Sequence, residues 1–498
     1  MTDGAMTDGA MPEERAPRRR VAVSSVGVPA YPDAPFSPGE AYPEYRLGAP
    51  GASPNAVYGG VRECFRLLGL DAGRYGSREW NPLGAWIRPG MRVLIKPNLV
   101  RHYHPYGLDT EAIYTHASVV RAVLDYAWLA MEGEGELVIA DAPLQSCDFD
   151  EVCRRSGLHA LMNWCEAKSI AVELRDLRLV RAVAEKQNWM GKVLVHHANP
   201  GDPAGYTTVD LGRRSLHAAR EREGRYRVPC YDPAGMSRHH GAGRHSYILA
   251  NTLLRADVVL NLPKMKTHHK AGITGCLKNF IGVNGHKDCL PHHVQGAAGS
   301  GGDEYARPSL WKETDARLLD YKERHGGAVV KKAAALAHRA LQAVHMRESG
   351  NAMWDGGWHG NDTISRTTID LNRIVRYADC NGVLRDQPQR EVISIVDGIV
   401  AGERDGPLAP RPKPCGLLLA GLAPAAIDAV MARLMGFRWD AFPTLRHAFS
   451  AEAGWEPFGV DGIECVSGDP RWHGLRAEQA GPSFSFEPHP GWKGHVEL

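Results

Sequence analysis

The chain has 498 residues, 43% hydrophobic and 23% charged, so it can bury a large core and is neither a disordered nor a fibrous sequence. Its net charge of +2 provides no field that would recruit nucleic acid or anionic lipid. Ten cysteines without a C-x-x-C pair exclude a ferredoxin-type cluster, a zinc ribbon and a thioredoxin motif, and in the absence of an evident secretory signal they are expected to be reduced, mostly buried thiols of a cytoplasmic protein.

Residues 1–19 repeat a small polar unit with no apolar period and are expected to be disordered and dispensable. VAVSSVGV, after three arginines, is too short and too soon followed by Pro29 and Pro32 to be an export signal, and reads as a first strand. The proline-rich passage from Tyr31 to Tyr45 is expected to form an ordered loop over the body.

From Met91 the pattern becomes regular. MRVLIKPNLV reads as a buried strand ending at Pro97, and THASVVRAVLDYAWLAM as a helix capped by Thr115. ELVIAD is a second buried strand, DFDEVCRRSGLHALMNWCEA a second helical stretch, and AVELRDL a third strand. Strands alternating with helices predict βαβ units and a largely parallel sheet with helices on both faces.

Val180 to Gly243 is less regular and reads as a β-rich or looped excursion. Beyond it the pattern predicts a helix over SYILANTLLRA, a strand at DVVLNL continuing as PKMKTH, and a helix near Gly272 to Gly282. Two helices follow within Ser309 to Arg347, the second with a solvated Lys/Arg face, then the strands EVISIVDG and GLLLAG and the helix APAAIDAVMARLMG. The longest apolar run, near Cys415 to Val430, is broken by Pro424 and Asp428 and cannot span a membrane. The expected organisation is a tail at 1–19, an N-terminal α/β section at 20–300, a helical insertion at 301–360, a C-terminal α/β section at 361–470 and an irregular tail at 471–498.

Four predicted strands end in chemically capable residues: Lys96 and Asn98, then Asp141, then Asn261, Lys264, Lys266 and His268, then Asp397. Open parallel sheets bind ligands outside the carboxyl ends of their strands, so these ends are expected to share one crevice. The segment after Asn261 is unusually basic: eight of the 23 histidines lie between His239 and His293, interleaved with Lys264, Lys266, Lys270, Lys278 and Lys287. It is expected to line the largest pocket. Ammonium groups beside main-chain amides would hold a phosphate or carboxylate, with Lys96, Asn98, Lys264, Lys266, Lys278 and Asn279 binding the substrate. Asp141, His268 and Asp397 are the candidate catalytic acids and bases. A divalent metal is a further candidate, held by His292, His293, Asp303 and Glu304, with His268, His269 and His286 as other imidazoles nearby. No spacing matches an established metal motif. P-loop, Rossmann and α/β-hydrolase signatures are absent.

These residues, in LIKPNLV, THASVV, VIADAPLQSCDFD, ADVVLNLPKMKTHHKAGITGCLKNFIG, HHVQG, GGDEY, VDGIVAGERDGP and AAIDAVMARLMG, resemble the family called domain of unknown function 362, from Val21 to about Gly468. The resemblance makes Lys96, Asn98, Asp141, Lys264, Lys266, His268, Lys278, Asn279, Asp397 and Asp428 the motif positions. It implies little about reaction. Some members carry an appended iron–sulfur segment, whose cysteine run this sequence lacks, so no cluster of its own is expected. Others accompany polysaccharide or secondary-metabolite pathways. The expected function is an enzyme of such a pathway acting on a small anionic substrate. The alternatives are a redox or iron–sulfur-associated partner and a non-catalytic scaffold with a pathway protein as its partner.

Overall fold

A computed structural model describes residues 18–186, 192–220, 222–228, 233–325, 327–349, 355–450, 459–479 and 484–498. The tail therefore lies outside the described residues up to position 17, and only Arg18 and Arg19 of it are seen, Arg18 donating to Glu391 at 2.8 Å.

Ten strands form the central sheet: β1 (Arg20–Ser25), β2 (Arg92–Pro97), β3 (Glu136–Asp141), β4 (Glu173–Asp176), β5 (Val258–Leu262), β6 (Lys264–His268), β7 (Gly272–Thr274), β8 (Glu391–Asp405), β9 (Ala409–Gly421) and β10 (Glu464–Ser467). Their order is β10-β1-β9-β8-β5-β2-β3-β4, with β6 beside the far half of β8 and β7 hairpinned onto β6. Neighbours from β8 through β4 run parallel, and β9 is antiparallel to both β8 and β1. The chain is thus a mixed α/β protein with a mostly parallel sheet.

Alternation along the strands divides the core. Val93, Ile95, Ile139, Leu260 and Ile393 pack on one face under α1 (Ala56–Leu67) and α2 (Ala117–Ala130). Leu94, Val138, Ala140 and Val259 face the other way, towards α3 (Thr363–Tyr377), and Val21, Val396 and Leu419 pack there on α4 (Pro424–Met435). Both faces are covered, which is why β2, β3 and β5 read as continuous apolar runs. Among the described residues no helix is long and apolar enough to cross a membrane.

Four local expectations are corrected. SYILANTLLRA is not a helix: Arg244–Ala250 is a strand and only Asn251–Leu254 turns helically. A short apolar run suits either form, and the antiparallel partner Tyr206–Asp210, from Ser246 opposite Asp210 to Ala250 opposite Tyr206, selects the strand. VVLNLPKMKTH is two strands, because Pro263 interrupts pairing and shifts Lys264–His268 onto the far half of β8. The helix expected near Gly272 to Gly282 is the strand β7, a turn of helix at Cys276–Asn279 and a 3-10 turn at Phe280–Val283. Finally, His116 rather than Thr115 caps α2, since the Thr115 hydroxyl instead donates to the Leu262 carbonyl at 2.6 Å.

Asp428 of α4 is tied to the fold. It is buried and accepts the backbone N–H groups of Cys276 at 2.6 Å and Leu277 at 3.0 Å. A Cβ at Gly275 would come within 2.1 Å of its carboxylate, so only glycine permits this approach. Asp428→Ala strands both N–H donors, each a loss of about 1–3 kcal/mol. Urea unfolding is expected to show a drop of at least about 2 kcal/mol, with Asp428→Asn losing less because its amide oxygen still accepts one bond.

Candidate functional site

The parallel strands bring their carboxyl ends to one edge, and three lysines are sunk there. Lys96 ends β2 beside Asp141 at the end of β3; their side chains are 0% and 3% exposed and pair at 2.6 Å. Asp141 also accepts Leu99 N–H at 2.8 Å, while the Lys96 ammonium reaches the Pro97 carbonyl at 2.7 Å and Asn279 Oδ1 at 3.3 Å. A Cβ at Gly282 would sit 2.1 Å from Asp141 Oδ1 and 2.7 Å from Lys96 Nζ, so the turn can cover the pair only as glycine. Asn279 donates to the Lys96 carbonyl at 3.1 Å and to Asn261 Oδ1 at 2.8 Å, locking β2, β5 and the Cys276–Asn279 turn together.

Lys264 and Asp397 face each other across β6 and β8, both side chains fully buried and 3.0 Å apart. Asp397 Oδ1 accepts from the Tyr31 hydroxyl at 2.7 Å and Ile399 N at 3.2 Å, and Oδ2 from His116 N at 3.0 Å as well as from Lys264. Four donors fill the acceptor positions of a carboxylate. Tyr31 also bonds Lys264 and stacks on the His116 ring at 4.1 Å. Burial, then Asp397, pushes the Tyr31 hydroxyl well above its ordinary range, and burial lowers His116 to about 4. Neither Lys264 nor Asp397 lines the cavity described next; they form a closed buried network behind it. The proline-rich loop carrying Tyr31 packs against the core as part of that network.

In front lies a cavity of about 400 Å³. Asn98, Asp141, Lys266, His268, Lys278 and Asn279 all line it, as do Lys270, Lys287, His269 and His292. A second cavity of the same volume, about 400 Å³, adjoins Glu44, Tyr58, Asp125 and Tyr126, so lining charge rather than size distinguishes the first. Four lysines enter the first. The lining carboxylates are Asp141, already paired with Lys96, and Asp355.

The side chains differ in availability. Lys266 is fully buried, bonded to Asn98 Oδ1 at 2.7 Å and to the Ile113 carbonyl, and burial with the nearby Lys264 charge holds its pKa well below the lysine range. Lys287 donates to the Ala142 carbonyl at 3.1 Å and is lowered to about 8, mainly by burial. Lys278 is half-buried, makes no hydrogen bond or ion pair among the described residues, and is lowered to about 7 by burial and by Lys287 and Lys270. His268 Nδ1 accepts the N–H groups of Lys270 at 3.0 Å and Ala271 at 3.1 Å. Its hydrogen must therefore be on Nε2, and burial with the Lys278 charge holds the ring neutral. His268 is a hydrogen-bond donor here, because a second proton would have to displace two backbone bonds.

The four predicted metal ligands separate. Asp303 is consumed as a cap, accepting Val294 N at 2.5 Å, Asp362 N at 3.1 Å, Thr363 N at 2.9 Å and the Thr363 hydroxyl at 2.6 Å. His292 lines the lysine cavity with Nδ1 on the Leu290 carbonyl at 2.6 Å. His293 and Glu304 do meet, joined by Asp355, and Glu304 is pushed up to about 7 by burial, with Asp355 adding to it. His286 sits apart, accepting Asp288 N–H at 3.2 Å. Tyr31 and Asp355 carry no signal in the sequence; the glycines Gly272, Gly275, Gly282 and Gly285 suit close backbone approach there, and Lys270 and Lys287 are visible within the basic segment but fall outside the expected binding residues.

Residues 93–199 and 218–433 match a family model described as Domain of unknown function (DUF362), and no curated protein and no solved structure matches the chain.

The paired and unpaired lysines should respond oppositely to neutral replacement. Lys264→Met strips Asp397 of its counter-ion and is expected to cost about 3–5 kcal/mol. Lys278→Met removes no bond and should leave stability at neutral pH unchanged or slightly raised. The folded protein releases the protons of Lys278 and Lys287 near 7 and 8, whereas the unfolded chain keeps them into the ordinary lysine range. Stability should therefore rise with pH from about 7 towards 10, and Lys278→Met should flatten part of that rise. Urea titrations across this pH range measure both effects.

Proposed function

The chain belongs to the Domain of unknown function (DUF362) family, and we propose that it is an enzyme acting on a small phosphate- or carboxylate-bearing substrate bound in the lysine cavity. One observation carries this reading: Lys266, Lys270, Lys278 and Lys287 converge on a space whose only deeply buried lining carboxylate among the described residues, Asp141, is already neutralised by Lys96. An anion there would supply the counter-charge that burial and neighbouring cations deny Lys266, Lys278 and Lys287, and a low-polarity enclosure strengthens the attraction. Lys266, Lys270 and Lys287 would hold its oxygens, with the His268 Nε2–H as a directional donor. Lys278, half-buried, unbonded and lowered to about 7, supplies an amine that is partly unprotonated at neutral pH and is the proton acceptor of this reading. Asp397, its four acceptor positions filled, positions Lys264 and takes no part in proton transfer.

The reading includes a place in a biosynthetic pathway and in the cytoplasm, the latter supported by nine described cysteines that are all free thiols. A second reading, a pathway partner or scaffold, is favoured by the apolar side chains Leu310, Trp311, Tyr321, Val329 and Leu336, exposed on the helices Leu310–His325 and Ala328–Ser349.

Sulfate is a clean probe because it stays a dianion throughout the range in which the lysines titrate. At a hundredfold excess over its Kd it should stabilise the protein by about 2.7 kcal/mol, read as a rise in Tm. Its affinity should fall as pH rises from 6 to 9, through the deprotonation of Lys278 and Lys287. Lys287→Met should abolish most of the gain at pH 6. Equal sulfate shifts in wild type and variant would reduce the lysines to ordinary polar lining. Turnover of a phosphate or carboxylate metabolite chosen by the same thermal screen, and its loss in Lys278→Met, tests the catalytic half.

A further inference from the structure

Beside the lysine cavity, three ligand-bearing side chains converge from three separate stretches of chain. His293 lies in the short strand His293–Val294, Glu304 in the loop that follows, and Asp355 shortly before α3. One donor atom from each lies within 4.8 Å of the other two. The backbone holds them in place: Glu304 N donates to Val294 O at 3.2 Å, Gly356 N to Glu304 O at 2.9 Å, and Asn361 Nδ2 to both His292 O at 2.9 Å and Gly356 O at 2.8 Å.

Bonds within the group do not explain it. His293 is 3% exposed, yet its Nδ1 has no hydrogen-bond partner, and its Nε2 lies 3.9 Å from Glu304 Oε1, beyond hydrogen-bond range. Glu304, 7% exposed, uses Oε2 to accept Gly296 N–H at 2.9 Å and brings Oε1 to the imidazole. Two carboxylates and a buried imidazole with an unbonded nitrogen are an unfavourable arrangement unless something positive joins them. The neighbouring Asp303 shows the contrast, since every hydrogen bond it accepts is structural.

We propose that His293, Glu304 and Asp355 form a divalent-cation site opening on the lysine cavity. One imidazole nitrogen and two carboxylate oxygens suit Mn²⁺, Fe²⁺ or Zn²⁺ better than the all-oxygen sets that favour Ca²⁺ or Mg²⁺. Three protein ligands leave coordination positions open. Asp355 belongs both to this group and to the cavity wall, so those positions are within reach of a molecule in the cavity. The site stands independently of the anionic-substrate reading. The competing account is that Glu304 and Asp355 merely balance the nearby Lys270, Lys312 and Arg227, whose charges all act on Glu304 or its neighbour.

The test titrates the full-length protein, stripped with a chelator and dialysed, with Mn²⁺ alone, followed by calorimetry and by the electron paramagnetic resonance signal of free Mn²⁺. One equivalent should bind. Asp355→Asn, in a half-buried loop, and Glu304→Gln should each weaken binding at least tenfold, and His293→Gln likewise, while His292→Asn keeps it. Circular dichroism melts establish that each variant is folded; if His293→Gln is not, Asp355→Asn decides. Absence of binding at millimolar Mn²⁺, or binding that survives both Asp355→Asn and Glu304→Gln, overturns the site. Sulfate stabilisation measured in the presence of chelator separates the two ideas: its persistence without Mn²⁺ binding leaves the anion cavity standing alone, and its loss with Mn²⁺ binding intact does the reverse.

Discussion

A buried ammonium group is tolerable only when an opposite charge or a full set of acceptors is fixed beside it. At the carboxyl edge of this sheet Lys96, Lys264 and Lys266 are all fully buried. The parallel arrangement meets the requirement. Lys96 and Asp141 end adjacent strands, and Lys264 stands in register with Asp397 on the next. Among the described residues Lys266 pairs with no carboxylate and relies on Asn98 and a carbonyl. Loops far apart in sequence are recruited to the same task, Tyr31 over Asp397 and Gly282 over Asp141.

Those satisfied pairs explain why the remaining lysines matter. Asp141 and Asp397 are occupied by Lys96 and Lys264; Asp141 still acts on Lys287, where burial outweighs it, and the charges acting most on Lys278 are those of Lys287 and Lys270. Positive charge accumulates in the cavity, and the amines hold their protons less firmly than a surface lysine does. The backbone contributes to the same polarity, since two N–H groups fix the His268 tautomer and turn its remaining N–H outward. The cavity thus combines several cationic groups, one neutral donor and one available amine, with His293, Glu304 and Asp355 as an acidic counterpart at its side.

Much of the site could be read from the sequence because residues near each other in the chain end up near each other in space. Lys264, Lys266, His268, Lys278 and Asn279 lie on one stretch of two hairpinned strands and a helical turn, and strand ends such as Lys96 and Asp141 must gather wherever parallel strands share an edge. The metal candidates were harder. His292, His293, Asp303 and Glu304 are close in sequence, yet neighbouring residues in extended chain point opposite ways, and His292 and His293 serve different spaces. Asp355 is more than fifty positions from Glu304, and no periodicity links them.

The sequence by itself determined the sheet-forming runs, the alternation of strands with helices and the chemical character of the basic segment, because burial on both faces imposes an apolar pattern that is local. Tertiary structure decided what depends on a distant partner. Ser246–Ala250 is a strand because Tyr206–Asp210 pairs with it. Asp397 turns its oxygens to Tyr31, His116, Ile399 and Lys264 and does not line the cavity, although it ends a predicted strand as Asp141 does. Which lysines are paired, and which one is left without a bond among the described residues, is a property of the assembled edge, since hydrogen-bond partners here come from up to 369 residues away.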